Sequence, residues 1–221
     1  ELAVPLCSYV YEGNISDVSA FPRYLDLFRN RINHYTDATD ITLIYDNGSV
    51  SKKNLAELKK QKPEYHYICA FSLNSSKELL DISVNDYKTV NICEDKDILC
   101  YRTTKDIWGE KNECVLIYSK DLYMGQYKGL LVSIEKKKQQ LQKVKEQLRN
   151  PKSRISKKAS DIDARIKKII KGNFGESIFE INNTGIRIIK DIDFSVNYDV
   201  MEALCYKHYG KRLLITDRFS W

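Results

Sequence analysis

Two periods run through this chain, one close to two residues and one close to three and a half. Leu2–Tyr11 (LAVPLCSYVY) is apolar and rich in β-formers and predicts a strand, with Pro5 favouring a sheet edge. Gly13-Asn14 turns the chain. Phe21, Tyr24, Leu25, Phe28 and Ile32 then recur at spacings of three, four and seven, which predicts an amphipathic helix opened by Ser16 or Asp17 as N-cap. Pro22 falls in its first turns, where the missing N–H matters least. Ile41–Tyr45 (ITLIY) carries no charge and predicts a strand covered on both faces and ending on Asp46. Asn47-Gly48 would suit a hairpin, but the following SVSKKN does not alternate, and Ser51 caps a helical pattern over Lys52–Gln61. Tyr65–Leu73 (YHYICAFSL) predicts a further strand, giving a right-handed α/β wind of parallel strands.

Beyond Ser75 the pattern changes, and Leu79–Asp97 gives no clear periodicity. Ile98–Thr104 and Cys114–Tyr118 flank the polar turn DIWGEKN and predict a β-hairpin. From about Lys120 the period is helical, with Ile134, Leu141 and Leu148 spaced by sevens and Val144 between them, up to Asn150-Pro151. Ile155, Ala159, Ile162, Ile166 and Ile169 predict a second helix closed by Gly172, so that the two form an antiparallel helical hairpin. IFEI and IRII flank Asn182–Gly185 in a predicted hairpin, Tyr198–Tyr209 reads as a helix with Gly210 after it, and Arg212–Thr216 reads as a strand ending on Asp217.

Charge sharpens this picture. The 221 residues carry a net charge of +6, yet Glu135–Lys171 alone holds fourteen Lys or Arg against four acids, leaving the remainder of the chain net acidic. Mutual salt bridges cannot account for such an imbalance, and either a solvated outer face or a polyanion contact can. The second reading points to nucleic acid, with Lys136, Lys137, Lys138, Lys143, Lys157, Lys158, Lys167 and Lys168 as the candidate DNA-binding residues. The six cysteines form no CxxC pair and read as reduced core residues. The histidines His34, His66 and His208 lack ligand spacing. With no long apolar run and no export leader, a cytoplasmic, nucleoid-associated setting without a membrane partner is expected. The chain opens on Glu1 and breaks off at Trp221 just after a strand-like run, as an internal piece of a longer protein would.

Four stretches in order carry a resemblance: VYEGNISDV, ITLIYDNGSVSKKNL, YHYICAFSL and, after a long insertion, YGKRLLITD. Together they resemble the DDE transposases of bacterial and archaeal insertion sequences, in the IS-four-type branch. The steps G-N-x-S-D and D-x-G-x-x-S-x-x-N-L are the most specific. The resemblance covers most of the chain and implies an α/β fold with an incomplete ribonuclease-H-like core at residues 1–97. It further implies an inserted β-hairpin and long basic helical hairpin at 98–185, and a return segment at 186–221. It makes Asp46 the second acid of the catalytic triad and a metal ligand, and gives Asp17, with Asn14 beside it, a capping and positioning role.

Such enzymes hold two divalent ions, Mg²⁺ or Mn²⁺, between three carboxylates to cleave DNA and transfer strands at transposon ends, commonly as homodimers acting on transposon ends and target DNA. Here the first Asp of the family is expected before Leu2 and the final Glu beyond Trp221. Tyr209-Gly-Lys-Arg212 begins the family's Y-x2-R-x3-E helix, but Thr216 stands at the Glu position, and Asn47 stands where the family often has a basic residue. The chain by itself is therefore expected to be inactive. Two other readings remain: a non-catalytic DNA-binding or dimerisation module, and a nuclease of the same fold that cuts without joining.

Overall fold

The computed structural model describes residues 8–32, 34, 40–60, 65–93 and 96–219. Its elements in order are α1 (Asp17–Ile32), β1 (Ile41–Tyr45), α2 (Lys52–Lys59), β2 (Tyr65–Phe71), β3 (Lys88–Cys93), β4 (Lys96–Ile107), β5 (Glu110–Tyr118), α3 (Lys120–Arg149), α4 (Ala159–Ile170), α5 (Gly175–Ile178), β6 (Phe179–Thr184), β7 (Asp191–Val196), α6 (Tyr198–His208) and β8 (Lys211–Thr216). They form two compact units, one made of the chain up to Tyr118 together with the residues from Arg212, the other of Ser119–Lys211. No helix among the described residues is long and apolar enough to cross a membrane.

The first unit is mixed α/β, built on a six-stranded sheet in the order β1-β2-β8-β5-β4-β3. β1 and β2 run parallel, joined through α2, while β8 runs antiparallel to β2 and β3, β4 and β5 form an antiparallel meander. Strict alternation sets the face of β2: Tyr65, Tyr67, Cys69 and Phe71 are buried while the residues between them are half-exposed. That buried row meets Phe21 and Leu25 of α1, Leu55 and Leu58 of α2, Leu116 of β5 and Ile215 of β8 in one core. Each such aliphatic or aromatic side chain stabilises by roughly 1.5–3 kcal/mol.

Three expectations change here. Leu2–Cys7 lie outside the described residues, and Ser8–Tyr11 are not in a strand. β1 is not a strand covered on both faces: among the described residues it ends the sheet, none of its residues is fully buried, and Ile44 is 78% exposed. The hairpin over DIWGEKN is longer than its apolar runs suggest, because β4 and β5 continue to a two-residue turn at Trp108-Gly109, whose φ angles of 57° and 88° suit the twist of the strands. This hairpin belongs to the first unit's sheet, whereas residues 186–211 fold with the second unit.

In the second unit α3 spans 30 residues, with the Ser119 hydroxyl accepting from the Leu122 amide at its start. The predicted seam is its buried face: Ile134, Leu141, Val144 and Leu148 pack with Ile162, Ile166 and Ile170 of α4. The pair is antiparallel, but it is not a free-standing coiled coil, since Phe179 and Ile192 of the β6–β7 hairpin and Met201 and Cys205 of α6 complete the same core. Nor does the second helix reach back to Ile155. Residues 150–158 are non-helical, and their backbone bonds to the 187–189 segment through Ile189 N–H to Lys157 O (2.8 Å) and Ala159 N–H to Arg187 O (3.0 Å). For the same reason IRII is the loop of the hairpin and not its second strand. Ile189 is fully buried there, while Asp191–Val196 takes up the pairing with β6.

Candidate functional site

The two most specific sequence steps fold against each other. Ser16, and not Asp17, is the N-cap of α1, accepting from the Ser19 amide through its hydroxyl and from Ser19 and Ala20 through its carbonyl. This leaves the Asp17 side chain free to turn outward. One of its oxygens accepts the Tyr11 hydroxyl. Asp46 follows β1 and caps a single 3₁₀ turn, Asn47–Ser49, by accepting from the Gly48 amide at 2.9 Å. Ser51 then caps α2 by accepting from Asn54 N–H at 3.1 Å.

Asn54 joins the two steps. It is 1% exposed, and its amide donates to Val18 O (2.9 Å) and Ser49 O (2.8 Å), fastening the start of α1 to the loop after β1. The consequence is read at Gly48. A methyl group on its Cα would lie 2.7 Å from Asp17 Oδ2 and 3.1 Å from Asp46 Oδ1, so one oxygen of each carboxylate lies close beside Gly48. The Tyr11 hydroxyl is held protonated above its ordinary range by its hydrogen bond to Asp17, with burial and the charges of Asp17 and Asp46 adding to the effect. It is a donor here and not a base. Asn14 lies exposed in the turn closed by Ile15 N–H to Glu12 O (2.9 Å).

Chemically, two neighbouring carboxylates can hold a hard cation, whose remaining positions go to water or phosphate oxygens. Among the described residues no group of three or more His, Cys, Asp or Glu side chains is placed to hold a metal. The donor set fits Mg²⁺ or Mn²⁺ as two carboxylates and fits a soft metal poorly.

Asp217 does not join this pair. Because β8 is antiparallel to β2, Asp217 stands beside the start of β2, where it accepts from Tyr67 N–H at 3.1 Å and contacts His66 Nδ1 at 3.1 Å. Arg218 next to it bonds Thr42 Oγ1 at 2.7 Å and forms an ion pair with Asp40, whose carboxyl it holds below the usual range. Asp40 precedes β1 and Asp46 follows it, so the two clusters are separated by the length of a five-residue strand, about 17 Å. The Asp40–His66–Asp217–Arg218 cluster had no signal in residue spacing, since its members lie up to 178 positions apart.

The basic candidates differ in their surroundings. Lys137 is withdrawn from the DNA-binding set: it is buried, and its ammonium donates to the carbonyls of Ile170 (2.9 Å), Lys171 (2.8 Å) and Gly172 (2.6 Å), capping the end of α4. Burial lowers its pKa from the ordinary lysine value. Lys138 pairs with Glu135 at 3.5 Å. Lys136, Lys143, Lys158, Lys167 and Lys168 are exposed, Lys157 is half-buried, and Lys157 and Lys158 sit on the non-helical segment before α4. Lys143 and Lys168 share a groove of about 380 Å³ between α3 and α4 with Arg165, a residue absent from the sequence-based set although its spacing of three from Lys168 announced it. Lys145 and Arg149 on α3 are committed elsewhere, to Asp193 (3.0 Å) and Asp191 (3.0 and 2.5 Å) of β7. The cysteines Cys69, Cys100, Cys114 and Cys205 are free and buried, as expected, and burial pushes the Cys69 thiol up to about 12.

Comparison with protein-family models, with curated proteins and with solved structures finds no match to this chain.

Proposed function

We propose that this chain is part of a DNA transposase of the DDE type, in which Asp46 supplies one of the carboxylates that hold Mg²⁺ or Mn²⁺ for DNA strand cleavage and transfer. The observation that carries the reading is the meeting of Asp17 and Asp46 over Gly48. Four residues of the two resembling steps serve that meeting: Ser16 and Ser51 cap the helices, Asn54 ties them together, and Gly48 leaves the room. Asp17, which does not cap α1, has its second oxygen close to Gly48 on the side of Asp46. A divalent ion there would polarise a phosphodiester and lower the pKa of bound water. The chain's own contribution is a pair of aligned acceptors and a protonated Tyr11 that fixes one of them.

A ribonuclease-H-like core is supported by the parallel β1–α2–β2 unit with the acid at the C-terminal end of β1. DNA as partner is supported by the exposed cations of the second unit. The alternative, a non-catalytic DNA-binding module, is favoured by a specific observation, the absence of a third carboxylate among the described residues.

Mn²⁺ titration followed by electron paramagnetic resonance tests the reading. The wild-type chain is expected to bind Mn²⁺ in competition with Mg²⁺, and Asp46→Asn and Asp17→Asn are each expected to weaken binding at least tenfold. Nicking and strand-transfer assays on the chain extended at both ends then separate the classes. DNA binding with Mn²⁺ affinity unmoved by either substitution selects the non-catalytic module.

A further inference from the structure

Beside the carboxylate pair lies an aromatic cleft. It has a volume of about 230 Å³ and is lined by Tyr9, Tyr11, Phe21 and Tyr24, with Asp17 and Ser49 at its edge. The rings of Tyr9 and Tyr11 stack at 5.7 Å with 29° between their planes, and the Arg23 guanidinium lies 5.5 Å from the Tyr9 ring. Phe21 is buried and leans on Tyr45 at 5.0 Å, forming the floor, whereas Tyr11 and Tyr24 remain 38% and 40% exposed. Because the Tyr11 hydroxyl is anchored on Asp17, that ring is oriented before any ligand arrives.

We propose that this cleft takes an unpaired nucleobase of a DNA strand. The inference rests on the reading of the chain as DNA-acting. Aromatic faces stack on any base, and a guanidinium adds a cation–π contribution to such a platform. Asp17 is an acceptor only, so it suits the exocyclic amino group of adenine, cytosine or guanine and repels a phosphate. The base therefore enters and the backbone stays outside. A paired base is excluded, because its faces and its hydrogen-bonding edge are already occupied in the duplex.

The test uses the full chain and two single-stranded oligonucleotides, one carrying 2-aminopurine at a central position and one abasic there. The 2-aminopurine strand is expected to be quenched on binding and to bind roughly five-fold tighter than the abasic strand, the lower end of what one stacked base contributes. Tyr24→Ala, on the exposed face of a helix where alanine is well tolerated, removes both effects, and Tyr24→Phe keeps them. Equal affinities, or quenching that survives Tyr24→Ala, overturn the cleft while leaving DNA binding in place. If the chain binds neither strand, the proposed function fails, and a titration with free 2-aminopurine riboside decides the cleft separately. Absence of quenching there overturns it, as does quenching abolished by a neutral methyl glycoside, which assigns the rings to a sugar.

Discussion

Gly48 shows how tightly the carboxylate pair is built. Its φ is not in the left-handed region, so the need for glycine is one of room: an added Cβ would sit 2.7 Å from an oxygen of Asp17 and 3.1 Å from one of Asp46. Both neighbours are ends of short, hydrogen-bonded side chains, since Asp17 holds Tyr11 and Asp46 holds the Gly48 amide. A Gly48→Ala chain is therefore expected to fold, with a stability change within about 1 kcal/mol because the position is exposed. Its Mn²⁺ affinity should fall about tenfold, a loss of about 1.4 kcal/mol as one carboxylate is displaced. Thermal unfolding and Mn²⁺ titration on the same sample check the two halves, and unchanged affinity would mean that the pair does not bind as a unit. The residue types of this site were legible in the sequence, because caps, a turn and a terminal acid each have a local signature. Their convergence was not legible. Asn54 and Val18 are 36 positions apart, and no local rule predicts that a buried amide will fasten one helix start to another.

Among the elements, the helical seams were the most legible, since a period sustained over four turns leaves few alternatives. The interruption at residues 150–158 was hidden because its hydrogen-bonding partner is the distant 187–189 loop. The strand that pairs with β6 was misplaced for a related reason: IRII is as apolar as a strand, but Ile189 is drawn into the core and only DIDFSV is left to pair. β7 is in turn fastened to α3 by Arg149–Asp191 and Lys145–Asp193. Both carboxyls lie below their ordinary value of 3.8, in each case chiefly through the hydrogen bond from the basic partner and then through its charge and that of nearby groups. A carboxyl with a lowered folded pKa contributes stability that is complete above the unfolded value and is lost as pH falls through the folded one. The unfolding temperature is thus expected to hold from neutral pH down to about pH 4.5 and to drop below it. In the Asp191→Asn, Asp193→Asn double variant that drop becomes shallower, although Asp40 and Asp161 are lowered too and preserve part of it. Circular dichroism melts across the pH series check this, and an identical acid limb in the variant would mean that the β7 ties carry no pH-dependent stability.

For the molecule as a whole, the question is which of its charges can meet a polyanion. The net +6 divides unevenly, because Glu135–Lys171 holds an excess of ten cations and the rest of the chain is acidic. Position in the fold then withdraws four of that segment's fourteen cations: Lys137 is capping α4, Lys145 and Arg149 hold β7, and Lys138 has Glu135 beside it. Lys143, Arg165 and Lys168 remain around one groove, where three cations on two antiparallel helices face the same space. Repulsion among them disfavours the bare state, and a phosphate chain relieves it while releasing its own counterions. Neutralising all three to Gln is therefore expected to weaken duplex DNA binding at low salt and to reduce the steepness of log K against log salt by roughly 2 to 3, near 0.9 for each lost contact. Lys137→Gln provides the contrast. It strips a cap from buried carbonyls and should destabilise the second unit by about 1 to 3 kcal/mol, yet leave the salt slope unchanged. Fluorescence anisotropy over a salt series separates the two. A slope that ignores the triple substitution would return these cations to the role of a solvated outer face, and a slope that responds to Lys137→Gln would mean that the affinity reports the folding of the unit and not its charge.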